Sequence, residues 1–315
     1  MLTSFLPFSK LTFAENISDW LSYLKTDNPL VASHWRRRSR PLVAVLLSPC
    51  FQNRGIGRAI CAALAQQFPG PLILYAASRA GGFIDLTGLS NPPAVQIRPV
   101  QLSLTDKASI TALSTMVSNE HRSCDVLINN AGLYYFQENV TAAQRQESLD
   151  VNYRGTLNVC QAFLPIMCKS GRTINVSSQS GQLKYFHPRL QAQFLKPDLT
   201  LTELDALVGE YSGSADQNTA TALGWPPLAY FTSKAALNAA TRILARQNPH
   251  LLINCCCPGW VSTPLGAQAG QPPNSVEEGA RIPLQPAVGD IGQVIGRYWA
   301  NDSVASTGNG AVRDW

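Results

Sequence analysis

Tyr230 and Lys234 stand four residues apart in Tyr230-Phe231-Thr232-Ser233-Lys234, a spacing that stacks both side chains on one face of a helix. An ammonium beside a phenol favours the ionised oxygen, so a tyrosine held this way is expected to trade a proton near neutral pH. Such pairs also arise by chance in ordinary helices, and this one gains meaning only from other polar groups brought to the same place. Asn175-Val176-Ser177-Ser178-Gln179-Ser180-Gly181 offers two hydroxyls at the end of an apolar run. Side chains alternate along a strand, so only one of two neighbours faces a given side, and Ser178 is expected to be the one. Asn130, in Asp125-Val126-Leu127-Ile128-Asn129-Asn130-Ala131-Gly132, ends another apolar run, and Asn152 follows in Asp150-Val151-Asn152-Tyr153-Arg154-Gly155. Asn53-Arg54-Gly55-Ile56-Gly57-Arg58 comes directly after an apolar run, where glycines let a backbone approach a pyrophosphate at a helix N-terminus. Glycine pairs before a helix also serve tight packing alone.

The elements that must position these residues are legible in the hydrophobic pattern. From Pro41 onward, short apolar runs at Val43 to Leu47, Leu72 to Ala77, Val95 to Leu104, Val126 to Asn129, Thr173 to Val176, Leu251 to Cys257 and Val294 to Tyr298 alternate with helical periods. The helices are expected at Ile56 to Phe68, Thr105 to Glu120, Thr141 to Met167 and Tyr230 to Arg246. Continuously apolar strands separated by amphipathic helices argue for an α/β fold: a doubly wound, Rossmann-type parallel sheet covered on both faces. Residues 182–227 interrupt the rhythm as an insertion, with a helix capped by Thr200 or Thr202 with Glu203 and then a polar loop from Tyr211 to Thr221. Residues 1–40 read as an N-terminal extension carrying a short amphipathic helix around Ile17, Trp20, Leu21 and Leu24, so that residues 41–315 form one domain.

Composition limits the function classes. The 315 residues are 45% hydrophobic and 14% charged, which excludes collagen-like, coiled-coil and highly charged disordered chains. The formal net charge is +5, but Arg36, Arg37, Arg38 and Arg40 sit in one short run, read as a solvated linker, and no nucleic-acid partner is implied. The eight cysteines form no CxxC pair, and Cys255, Cys256 and Cys257 are consecutive in an apolar run, as expected of buried free thiols. No metal site is expected. No apolar run approaches the length of a membrane helix, so no membrane association is expected, and a cytoplasmic setting is the default.

Taken together and in this order, the glycine-rich turn, the Asn-Asn-Ala-Gly segment, Asn152, Ser178 and the Tyr230/Lys234 pair resemble the short-chain dehydrogenase/reductase family across residues 41–315. Within it the chain looks most like the NADPH-dependent carbonyl reductases. That likeness rests on the long insertion before Gly224-Trp225-Pro226, on Cys256-Cys257-Pro258-Gly259-Trp260-Val261, on Glu277-Glu278-Gly279-Ala280, and on the final Val312-Arg313-Asp314-Trp315. The resemblance implies that Tyr230 protonates a carbonyl oxygen during hydride transfer and that Lys234 lowers its pKa while binding the nicotinamide ribose. It further implies that Ser178 holds the substrate oxygen and that Asn152 organises a proton relay to Lys234. The cofactor is expected to meet Arg54, Gly55, Ile56, Gly57, Arg79, Ser103, Leu104 and Asn130, with the nicotinamide near Pro258-Gly259 and with Val261 and Thr263 at its carboxamide or phosphates. Trp260 is either a wall of the substrate pocket or a packing residue. Arg54 and Arg79 near the adenosine ribose favour the extra phosphate of NADPH. The insertion is implied to cover the surface through which simpler relatives assemble, making a monomer.

The chain departs from the family pattern in two places. Counting back from Gly55 puts Cys50 and Phe51 where Thr and Gly are expected, and Ser103 stands where an adenine-contacting Asp is expected. The leading expectation is an NADPH-dependent reductase of a ketone, aldehyde or quinone. The rivals are a Rossmann-fold binding or regulatory protein that has lost productive cofactor binding, and a non-redox enzyme using Tyr230 and Ser178.

Overall fold

The computed structural model describes Trp35 and residues 40–48, 55–82, 94–137 and 139–315. In chain order its elements are β1 (Leu42–Leu47), α1 (Ile56–Gln67), β2 (Leu72–Ser78), β3 (Val95–Gln101), α2 (Lys107–His121), β4 (Cys124–Asn129), α3 (Ala142–Leu149), α4 (Thr156–Phe163), β5 (Met167–Val176), α5 (Pro188–Leu195), α6 (Leu201–Asp216), α7 (Ala229–Gln247), β6 (Leu252–Cys256), α8 (Val276–Val288), β7 (Tyr298–Ala300) and β8 (Ala311–Arg313). The strands form one sheet in the order β3-β2-β1-β4-β5-β6-β7-β8. All neighbours are parallel except β7 and β8. The order reverses between β1 and β4, and in such folds the crevice at the carboxyl ends of the strands at that point receives ligands.

Alternation along each buried strand divides the core. Leu42, Ala44 and Leu46 pack with α1 and α8 residues such as Ile60, Leu64, Ile282 and Leu284. Val43, Val45 and Leu47 pack on the opposite face with Ile110, Leu113, Val159 and Phe163. The triple cysteine follows the same rule: Cys256 joins the first cluster, while Cys255 and Cys257 form a third with Tyr298 and Ala300. Every cysteine among the described residues is free.

Several sequence expectations are revised. The single helix expected from Thr141 to Met167 is broken by a wider π-helical stretch over Asp150–Gly155, and Met167 begins β5. Helix α6 continues to Asp216, where a loop is expected from Tyr211. Tyr211 extends the buried stripe of Leu204, Leu207 and Val208, and the Ser214 hydroxyl donates to its carbonyl at 2.9 Å. The insertion holds two helices, with His187 capping α5 and Thr200 and Glu203 forming a capping box on α6. Their apolar faces close over α7 in a cluster centred on Trp225, whose ring meets Phe186, Phe194 and Tyr211.

The packed domain reaches back before Pro41. Trp35 is buried beneath the Arg172 guanidinium, 5.4 Å from its ring centroid. Arg40, expected in a solvated linker, instead forks onto the buried Asp125 carboxylate at 2.7 and 3.0 Å, and Asp125 also accepts from the Val43 amide. Arg36 to Arg38 and the helix expected around Ile17 to Leu24 lie outside the described residues.

Candidate active site

Helix α7 places Tyr230 and Lys234 on one face, with the Lys234 Nζ 5.7 Å from the Tyr230 ring centroid. Both line one cavity of ≈ 380 Å³. Lys234 Nζ donates to the Val176 carbonyl at 2.9 Å, which ties the helix to the end of β5. Burial lowers the Lys234 pKa to about 8, against the opposing influence of Cys257 and Cys256. Burial moves Tyr230 the other way, well above the ordinary phenol value, and Cys257 and Tyr134 push in the same direction. The Ser178 hydroxyl at its oxygen opposes the shift by hydrogen bonding. Desolvation is the largest influence on both groups, raising the Tyr230 phenol and lowering Lys234.

Of the two serines, Ser177 is among the cavity residues and Ser178 is not. Ser177 is buried and donates to the Lys234 carbonyl at 3.3 Å, while the Ser178 hydroxyl reaches Tyr230 and also accepts from the Ser180 amide at 3.1 Å. Asn152 lies within the π-helical stretch. Its side chain accepts from the Leu133 amide at 2.9 Å, donates to the Leu133 carbonyl at 2.9 Å and donates to Ser233 Oγ at 3.1 Å. Ser233 in turn donates to the Tyr230 carbonyl at 2.8 Å. The Asn152 amide thus clamps the segment after β4 onto the start of α7. Asn152 Oδ1 and Lys234 Nζ both lie against Gly132.

From this cluster a trough runs to the carboxyl ends of β1 and β2. The large cavity is also lined by Ser48, Gly55, Ile56, Arg79, Asn130, Pro258 and Thr263. A second cavity of ≈ 140 Å³ shares Ser48, Arg79, Gly132 and Leu133 with it and is walled by Ser103, Leu104 and Thr105. Gly55 has φ 87°, a left-handed conformation suited to glycine, and α1 begins there with no side-chain cap and no acidic residue in its first turn. A helix start without a side-chain cap, in a cavity that Arg79 also lines, suits a phosphorylated ligand. Asn130 donates to Ser48 Oγ at 3.3 Å, across the switch point. Gly57 is a packing residue, since a Cβ there would lie 2.3 Å from Ser48 Oγ.

The remaining expected residues fall as follows. Arg54, Cys50 and Phe51 lie outside the described residues. Val261 is buried against Gly279 of α8 and is not among the cavity residues. Trp260 takes the packing alternative, its Nε1 donating to the Gly266 carbonyl at 2.9 Å and bracing the turn after Thr263. Sequence reasoning missed Ser233, whose role depends on a contact with a distant helix. It also missed Tyr134, whose ring centroid lies 4.4 Å from that of Tyr230. The run Tyr134-Tyr135-Phe136 directly after Gly132-Leu133 was the available signal.

The fold and this polar cluster define a nucleotide-binding oxidoreductase architecture, and comparison with known proteins identifies it. The short chain dehydrogenase family pattern matches residues 52–189. The chain is 35% identical over 242 residues to the NADPH carbonyl reductase 3 of Mus musculus, covering 74% of this chain and 86% of that protein. It is 34% identical, over the same shares, to the NADPH carbonyl reductase 1 of Oryctolagus cuniculus. Salutaridine reductase from Papaver somniferum superposes with a TM-score of 0.70 at 28% identity, over 83% of this chain and 99% of that one. The protein belongs to the short-chain dehydrogenase/reductase family, and within it is most similar to the carbonyl reductases.

Proposed function

We propose that this protein is an NADPH-dependent reductase that converts a ketone, aldehyde or quinone carbonyl to the alcohol, with Tyr230 as the general acid. The observation that carries the reading is the buried Tyr230 phenol, with the Ser178 hydroxyl at its oxygen and Lys234 beside its ring, on the wall of a cavity that shares Arg79 with the adjoining one. The residues present fit NADPH: Gly55, Ile56 and the start of α1 would hold its phosphates, Arg79 the ribose phosphate, Ser103 and Leu104 the adenine, and Asn130, Lys234, Pro258 and Thr263 the nicotinamide half. When bound, it supplies the hydride to the carbonyl carbon.

The chain's own groups manage the developing charge. Ser178 donates to the carbonyl oxygen and orients it toward Tyr230, which gives up its phenolic proton as negative charge grows on that oxygen. The Lys234 ammonium then offsets the charge left on the phenol. Asn152 acts as a positioning residue through the Leu133 segment and Ser233. A monomer is the state that suits the covering of α7 by α5 and α6. The free cysteines suit a reducing cytoplasmic setting. Among the described residues, no helix is long and apolar enough to cross a membrane.

The test is a titration of the purified chain with NADPH and with NADH, followed by consumption of reduced cofactor on adding carbonyl compounds. NADPH is expected to bind more tightly and to be consumed. A folded chain that binds neither nucleotide refutes the reading and favours a degenerate binding protein.

A further inference from the structure

The geometry points to Tyr134 as a specificity-determining residue, whose ring face admits flat conjugated carbonyl compounds to Tyr230 and disfavours bulky saturated ones; this deepens the reductase reading and rests on it. The position of Tyr134 is dictated by its neighbour. Leu133 has both its amide and its carbonyl held by the Asn152 side chain at 2.9 Å, so the next residue leaves the clamp in a fixed direction. The Tyr134 ring then lies over Tyr230, with centroids 4.4 Å apart and planes at 44°. Phe136 backs it, at 5.6 Å and 32°.

Thr263, Pro264, Leu265 and Gln268 also line the cavity. A hydrogen bond from the Phe136 amide to Gln268 Oε1, 3.3 Å long, ties the segment that carries Tyr134 to theirs. A carbonyl group cannot approach the Tyr230 oxygen across the ring face that Tyr134 covers. It must enter edgewise, in a slot with an aromatic ring along one side. Planar π-systems gain from lying on such a face, whereas tetrahedral ring carbons and their substituents collide with it. Among the described residues the Tyr134 hydroxyl has no hydrogen-bond partner, and its pKa is raised by burial alone. What Tyr134 offers a substrate is therefore its ring.

The experiment compares the wild type with Y134F, which keeps the ring, and Y134L, which replaces it with a smaller apolar side chain. Three readouts are taken: kcat/KM for a naphthoquinone and for camphor with NADPH, the Kd for NADPH, and the calorimetric Kd of a dihydroxynaphthalene for the NADP+-loaded chain. Y134F is expected to keep the wild-type preference. Y134L is expected to lose about two- to tenfold in kcat/KM for the naphthoquinone and in dihydroxynaphthalene affinity, the range of one aromatic pair, and to gain on camphor with NADPH affinity unchanged. An unchanged preference in Y134L overturns the assignment, as does a shift in Y134F equal to that in Y134L. A wild type that binds NADPH but consumes neither carbonyl refutes the reductase reading. Dihydroxynaphthalene binding then still decides for Tyr134, weaker binding in Y134L upholding the ring's selection and equal binding overturning it.

Discussion

The two ends of the trough are built by different means. At the Tyr230 end, side chains from one long helix, one strand end and one π-helical stretch are locked together by buried hydrogen bonds that run Leu133–Asn152–Ser233–Tyr230 and Lys234–Val176. At the Arg79 end, the lining includes residues that follow β1, β2, β3 and β4, such as Ser48, Arg79, Ser103 and Ala131, together with Glu147 and Val151, and Gly55 lines the adjoining larger cavity. The reacting end requires sub-ångström placement of a proton donor, which rigid elements supply. The nucleotide end requires amides, charge and room, which loops supply with little constraint on side-chain identity. This contrast is in keeping with the departure from the family pattern at Ser103 beside an intact polar cluster at Tyr230.

The sharpest way to break the contrast is Tyr230→Phe. Removing the proton donor is expected to lower kcat by about 10²–10⁴-fold while NADPH affinity, read by fluorescence titration, stays within about twofold. Retained turnover would remove Tyr230 as the acid. Next in size is Trp225→Ala, which empties the centre of the insertion cluster. Urea unfolding should show a loss of about 3–5 kcal/mol, with little change in nucleotide binding by the chain that remains folded. Equal damage to NADPH affinity would mean that the insertion and the trough are one mechanical unit.

At the other end, Arg79→Ala is expected to weaken NADPH binding by about 1.5–3 kcal/mol, the value of a charge-assisted contact, while NADH binding barely moves. Parallel losses for both nucleotides would place Arg79 away from the distinguishing phosphate. The smallest effect concerns pH. Burial lowers Lys234 to about 8, so its charge is present below that pH and lost above it. kcat should fall above about pH 8, by at most about tenfold per unit, and Lys234→Arg, which keeps its charge, should flatten the descent in a pH–rate profile.

Much of the fold was legible because β1, β2, β4 and β6 are short, continuously apolar runs buried on both faces, and such runs announce a parallel sheet. The last parallel strand was misplaced. Val294 to Tyr298 looks like a strand, but the Val294 carbonyl is taken by the Asn254 side chain at 2.8 Å, and the pairing residues are Tyr298–Ala300, between β6 and β8. Tyr230, Lys234 and Asn130, which line the cavity, could be singled out because each sits at a regular offset in a helix or at a strand end. The surroundings of Val261 and Gly57 come from α8 and from Ser48, which local pattern does not display.

The sequence by itself determined the sheet and the helix that carries the tyrosine and lysine, since period and alternation are properties of a single segment. Tertiary structure alone decided how far the pair is desolvated. Burial pushes the Tyr230 phenol up and draws Lys234 down to about 8, and desolvation is set by everything that surrounds a group, not by its neighbours in the chain. It also decided that Asn152 clamps Leu133, that Tyr134 covers Tyr230, and that Arg40 seals Asp125, because each of these contacts joins segments that only the folded chain brings together.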